Sequence, residues 1–164
     1  MQDKLIIKEA NFKDFKKIWP IFNNVIQTCD TFVFPPEMSY GEANTYWMSS
    51  PNKVFIVCKN DEVLATYMLK PIHSGNGSHI ANASFMVGEK ARAKGIGKLM
   101  GLHCIQTAKK LGFKAIQYNM VVSTNSIAVN LWKSLGFKIL ATVPGGFKHK
   151  ELGFVDSYIM FREL

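Results

Sequence analysis

Residues 92 to 97 read Arg-Ala-Lys-Gly-Ile-Gly, with Lys98 next. The segment falls directly after a strand-like run ending at Val87 and directly before a stretch of helical period. Glycines let a backbone approach an anion closely, and the unpaired N–H groups of a first helical turn, with the helix dipole, form a ready anion site. Arg92, Lys94 and Lys98 add positive charge beside it. The chemistry this allows is capture of a phosphate or diphosphate. Two common phosphate loops are excluded by spacing. A Walker A loop needs Gly five residues before the Gly97-Lys98 pair and Ser or Thr after it, where this chain has Arg92 and Leu99. A dinucleotide fingerprint needs GxGxxG, whereas Gly95, Gly97 and Gly101 leave one residue too many.

A second set of polar side chains sits inside strand-like runs. Asn82 and Ser84 share one face of HIANASFMV by period two, and Gln117 and Asn119 share one face of AIQYNMV. Amides at strand centres must find partners, so they either bond across a sheet or grip a substrate carboxylate or a water. Asn125 opens the helical run SIAVNLWKSL, where its side chain fits an N-cap.

The elements that position these groups follow from periodicity. LIIKEA reads as a strand. Asn11 or Asp14 can cap a helix whose apolar positions are Phe15, Ile18, Trp19, Phe22 and Ile26, and Pro20 within it is expected to kink or divide that helix. After the aromatic loop TFVFPPEMS, Ser39 to Glu42 is a capping box that opens a second helix through Trp47. KVFIVCK and EVLATYMLKPI form a hairpin at Asn60-Asp61, and HSGNGS turns into HIANASFMV. Ile96, Met100, Cys104, Ala108 and Leu111 make one helical stripe that Gly112 ends. The strand FKAIQYNMVV, a helix ending at Gly136, and the strands FKILATV and FVDSYIMF joined by PGGFKHKELG complete the order βααβββαβαββ. This is a mixed α/β fold, with one parallel pair inside an otherwise antiparallel sheet.

The chain has 164 residues, which fits one domain spanning 1–164, with a formal net charge of +8. Its lysines are scattered rather than blocked, which argues against nucleic acid while still favouring anionic small partners. The opening MQDKLIIKEANF lacks a signal-peptide pattern and no run is long enough to span a bilayer, so a soluble cytoplasmic protein without membrane contact is expected, and a homodimer is among the states it allows. Cys29, Cys58 and Cys104 are far apart and lack CxxC spacing, so neither disulfides nor a metal site are expected.

Arg92-x-x-Gly95-x-Gly97 between the fourth strand and third helix resembles the coenzyme A pyrophosphate loop of the GNAT superfamily of acyltransferases. Asn125-x-x-Ala128-x-x-Leu131-Trp132, ending in Leu135-Gly136-Phe137, is similar to that superfamily's other cofactor segment. The resemblance implies a transferase with acetyl-CoA as co-substrate and a small-molecule amine as acceptor. It places the pyrophosphate on the amides of Arg92, Ala93, Lys94, Gly95, Ile96, Gly97 and Lys98, and the pantetheine arm along Met86, Val87 and Gly88. Asn125 would turn toward that arm, in addition to its fit as a cap. The order of HIANASFMV, the glycine loop, QYNMVVSTN and LWKSLGF further resembles the subgroup with fungal enzymes that acetylate azetidine-2-carboxylate and related proline-like amino acids. By that likeness Asn82 would contact the acceptor's carboxylate, and Asn119 would lie near the thioester.

Acetyl transfer needs a neutral amine, a donor to the carbonyl oxygen as it gains charge, and relief for the departing thiolate. A backbone N–H at Met86 or Val87 is the candidate donor. Many relatives carry a tyrosine acid where this chain has Trp132, and an indole N–H cannot serve as one near neutral pH. Tyr118 and Tyr158 are substitutes, although strand tyrosines usually belong to the core. Glu37 in FPPEM, where such proteins wrap the acceptor, is the candidate base, and His79, a second titratable group, opens the fourth strand. A lysine-type amine is neutral in less than about one molecule in a thousand at pH 7, against about one in seven for a peptide-like α-amine, so the latter can dispense with a base. Two other outcomes are a coenzyme A-binding module with little turnover, suggested by Trp132, and a protein N-acetyltransferase, disfavoured by the narrow loop TFVFPPEM.

Overall fold

The computed structural model describes residues 4–164; the first three residues of the opening segment lie outside the described residues. Seven strands and four helices follow in the order β1 (Ile6–Glu9), α1 (Phe15–Thr28), α2 (Tyr40–Met48), β2 (Lys53–Lys59), β3 (Glu62–Pro71), β4 (Ile80–Val87), α3 (Ile96–Lys110), β5 (Ala115–Val122), α4 (Ser126–Ser134), β6 (Lys138–His149) and β7 (Gly153–Glu163). The sheet order is β1-β2-β3-β4-β5-β7-β6, and β4 with β5 is its one parallel pair among the described residues. Element order and the parallel pair match the sequence expectation.

Local signals set the helix starts. Asn11 and Asp14 form one capping box over a short 3-10 turn, and Ser39 with Glu42 forms the second box at the start of α2. Hydrogen bonds from the Ser39 hydroxyl and the Ser39 N–H to Oε2 hold the Glu42 carboxyl below its ordinary pKa. Pro20 does not divide α1, which runs unbroken. The proline lies on the exposed face, where the carbonyl left without its N–H can be hydrated. Leu111 is not part of the α3 core stripe: it is half exposed at the C-cap, beyond the last full turn. The last hairpin is also longer than expected, because Pro144-Gly145-Gly146 bulge within β6 rather than ending it.

Two apolar layers sandwich the sheet. Phe15, Phe22 and Trp47 of α1 and α2 pack on one face against Ile56, Met68 and Met86, while Met100 and Cys104 of α3 and Trp132 of α4 pack on the other against Tyr67, Ala83 and Tyr118. Each large side chain fully buried here contributes on the order of 2–3 kcal/mol. One buried polar chain crosses this packing: Trp47 Nε1 donates to Thr66 Oγ1 at 3.2 Å, and that hydroxyl donates to the Phe55 carbonyl at 3.0 Å.

Tyr67 reaches His103 Nδ1 at 2.6 Å from under α3. Burial, with Lys110 adding to it, lowers the His103 pKa, while burial raises that of Tyr67. The imidazole is therefore held neutral and the phenol protonated, with one hydrogen bond shared between them. Because the folded pKa lies below the unfolded value near 6.5, stability is full above about pH 6.5 and is lost as the pH falls through the folded value. Melting temperatures measured from pH 7.5 to 5 are expected to fall, and the His103→Gln variant to flatten that dependence.

Candidate functional site

Strands β4 and β5 pair at only two positions, Ile80 with Ala115 and Ala81 with Ile116. At the next step the Asn82 side chain replaces the ladder, its Nδ2 donating to the Gln117 carbonyl at 2.8 Å. Beyond this apex the strands diverge without further pairing among the described residues. Strand β5 also gains an extra residue relative to β7 between Tyr118 and Val121, and the bulge leaves Asn119 and Met120 exposed to the opening.

The β3–β4 register tells which amides face the gap. Gly88 N–H donates to Leu64 O, and Ile72 N–H donates to Ile80 O, with an unbroken antiparallel register between them. In such a pair alternate residues turn both backbone groups to the same neighbour. Even-numbered residues of β4 therefore bond β3, and Ala83, Phe85 and Val87 point their N–H and C=O into the gap. This corrects the expectation for Met86 and Gly88: Met86 turns its backbone to β3 and buries its side chain under α1 and α2, and Gly88 spends its N–H on Leu64 and its carbonyl on Ala91. Val87 remains, and Phe85 joins it.

Because pairing is at the N-terminal ends of β4 and β5, the splay opens at their C-terminal ends, where α3 and α4 begin. Arg92 N–H is already given to Glu89 O, so the free row starts one residue later than expected. From Ala93 to Lys98 no backbone or side-chain acceptor takes an amide hydrogen among the described residues, and the next N–H, that of Leu99, bonds the Gly95 carbonyl. Ala93 and Gly95 hold the turn at φ 59° and 75°. An anionic diphosphate fits this row of bare donors at a helix N-terminus flanked by Lys94 and Lys98. A Cβ on Gly97 would come within 3.2 Å of Leu131, so Gly97 also sets how closely α3 and α4 approach.

A cavity of about 340 Å³ passes through the sheet at the splay. On the α3 and α4 side it meets Phe85, Asn125, Ala128 and Trp132; on the α1 and α2 side it meets Phe32, Phe34, Tyr46, Lys70, Asn82 and Asn119. Asn125 stands both at the start of α4 and on the cavity wall. Its Oδ1 caps α4 by accepting from Ala128 N–H at 3.2 Å, and its Nδ2 stays available to the cavity. Asn119 Oδ1 accepts from Gln117 Nε2 at 2.9 Å, which likewise leaves Asn119 Nδ2 for a ligand.

Glu37 is exposed and outside the cavity lining, because Pro35 and Pro36 turn the chain so that Met38 N–H closes on Pro35 O. His79 is exposed and bonded to the Asn76 carbonyl, also outside the lining. Tyr118 lines the cavity but is stacked on Phe137 with its hydroxyl buried and without a protein partner among the described residues; burial first, then Cys104, raises its pKa far above the ordinary value despite Arg162. A phenol so shifted is a poor acid. Trp132 packs between Phe85 and Tyr118 at ring distances of 4.8 and 4.9 Å. Lys70 and Tyr46 were not singled out by sequence, since only the register that sets Lys70 opposite Asn82 brings them to the site.

The model of the acetyltransferase (GNAT) family matches residues 19–137. A GCN5-related N-acetyltransferase from Kribbella flavida is 36% identical and superimposes with a TM-score of 0.93, covering 98% of each chain. The N-acetyltransferase aca1 of Schizosaccharomyces pombe is 35% identical over 99 residues, 59% of this chain, and the match spans 47% of its own length. The structure of yncA from Salmonella typhimurium with its cofactor acetyl-CoA shares the fold at 19% identity, with a TM-score of 0.86 over 98% of this chain and 94% of that one.

Proposed function

Since the chain belongs to the GNAT acetyltransferase family, we propose that it moves the acetyl group of acetyl-coenzyme A onto a small, amino-acid-like amine within one domain. The observation that carries the cofactor assignment is the uninterrupted row of bare amides from Ala93 to Lys98 at the open end of the β4–β5 splay. Bound there, the cofactor supplies an activated thioester. Phe85 and Val87 turn their backbone groups toward the position of the cofactor arm, as an added strand requires, and one of these N–H groups donates to the carbonyl oxygen as it gains charge. Asn119 and Asn125 each hold an amide Nδ2 toward the same opening and fix the orientation of what lies in it. The acceptor enters from the α1 and α2 side, between the loop carrying Phe32 and Phe34 and the apex at Asn82.

Among the described residues no Asp, Glu or His lines this cavity. The amine therefore enters uncharged from solution, which favours acceptors whose amine pKa lies below that of a lysine side chain. It follows that kcat/KM rises about tenfold per pH unit up to the amine's own pKa and then levels. The break point is expected to move with the acceptor when amines of different pKa are compared; a break fixed near one value for all acceptors would instead place a base in the enzyme.

The direct test is thermal. Coenzyme A at about 100 times its Kd stabilises the folded protein by about 2.7 kcal/mol, and release of free thiol from acetyl-CoA in the presence of an amino acid pool is expected above the background without it. A stable cofactor complex with no transfer to any amine would favour the second reading, a binding module, to which Trp132 and the buried Tyr118 hydroxyl lend weight.

A further inference from the structure

From the charge inside the acceptor half of the cavity, and resting on the acetyltransferase reading, we infer that Lys70 is the residue that selects the acceptor by charge. It admits amines that carry a carboxylate and turns away polyamines, aminoglycosides and lysine side chains. Among the described residues Lys70 is the one member of the cavity lining with a charged side chain. It is the direct cross-strand partner of Asn82, so the two side chains stand beside each other at the apex of the splay, on the face that α1 and α2 cover. The residue is half-buried, and its Nζ lies 5.0 Å from the centre of the Tyr46 ring, which holds the ammonium over an aromatic face. No carboxylate lies within ion-pair distance of it among the described residues.

A partly desolvated ammonium that faces a cavity without a counter-ion attracts an anion there more strongly than a surface lysine does. It also repels a second cation entering the same space. Both effects act on a free amino acid in the productive direction. The carboxylate is drawn to Nζ, with the amides of Asn82 and Asn119 nearby, while the amine, close to a fixed positive charge, is favoured in its neutral and nucleophilic form. A diamine or aminoglycoside gains no such contact and keeps a charge that Lys70 opposes. Charge selection therefore comes from β3, a strand that contributes nothing to the cofactor row.

The test uses each proteinogenic amino acid beside its carboxamide, with spermidine and kanamycin as cationic acceptors. In the wild type, kcat/KM for the acid is expected to exceed that for the amide by about tenfold or more. In Lys70→Met that ratio collapses toward unity through the acceptor KM, with the coenzyme A-induced thermal shift intact. Lys70→Arg retains part of the preference, and Lys70→Glu inverts it toward amides and spermidine. An acid-to-amide ratio equal in wild type and Lys70→Met, or a wild type that prefers spermidine or kanamycin, overturns the assignment. A parallel arm measures binding of N-acetyl amino acids and their amides, with and without coenzyme A. There, loss of the acid preference in Lys70→Met supports the inference even if no acceptor of the panel turns over, and equal or absent binding of the acids overturns it. Failure of coenzyme A to shift the wild type counts against the cofactor reading alone, because the arm without coenzyme A reads Lys70 separately.

Discussion

Gly95→Val is expected to weaken coenzyme A binding by about 100-fold or more while costing the fold only about 1–2 kcal/mol. Gly95 has a φ of 75°, and nothing lies within 4 Å of where its Cβ would be, so the strain in the variant is conformational and not steric. A β-branched residue is an outlier in the left-handed region, and the backbone relaxes out of it. That relaxation re-aims the N–H groups of Ala93, Lys94 and Ile96. Losing two charge-assisted hydrogen bonds of about 1.5–3 kcal/mol each accounts for the predicted factor. Gly95→Ala, at a smaller strain, is expected to fall between, since Ala93 already shows that alanine tolerates a φ of 59° in this turn. Calorimetric titration with coenzyme A beside urea unfolding separates the two effects. A Gly95→Val protein that binds coenzyme A like wild type would remove the loop from the cofactor site.

What the sequence alone made legible was local. The capping box at Ser39 and Glu42, the Asn60-Asp61 turn, the α3 stripe from Ile96 to Ala108 and the glycine turn at Gly95 are each encoded within a few residues, and each stands in the structure. The facing of a strand's backbone groups is not local, and there the structure differs from the expectation. Whether Met86 or Val87 faces the gap is a matter of parity, decided by the bond from Gly88 to Leu64, 24 positions earlier in the chain. Arg92 loses its amide to a 3-10 turn that no periodicity announces. Glu37 looked placed for catalysis only as long as the path of the Pro35-Pro36 turn was unknown, and Lys70 looked like one more scattered lysine until the β3–β4 register set it beside Asn82.

The second large effect concerns that apex, where two variants of Asn82 are expected to rank in opposite orders for stability and for activity. Asn82 Nδ2 satisfies the Gln117 carbonyl at the point where the parallel ladder stops, so the strands can part without leaving a strand carbonyl bare. Asn82→Leu keeps the branched outline of the side chain and removes the donor, and should cost about 1–3 kcal/mol in urea unfolding, with kcat falling more than the acceptor KM rises. Asn82→Asp also loses the donor, but its carboxylate stands opposite Lys70 and can pair with it, which returns up to about 1 kcal/mol. That same pair fills the acceptor's anion site from within. Asn82→Asp should therefore be the more stable of the two and the less active, with kcat/KM for free amino acids lowered by about 100-fold or more and that for their amides lowered less. If Asn82 instead only touched the acceptor's carboxylate, as its family resemblance implied, Asn82→Leu would leave stability unchanged and raise the acceptor KM alone. The order of the two variants in a urea titration decides between these roles before any acceptor is known.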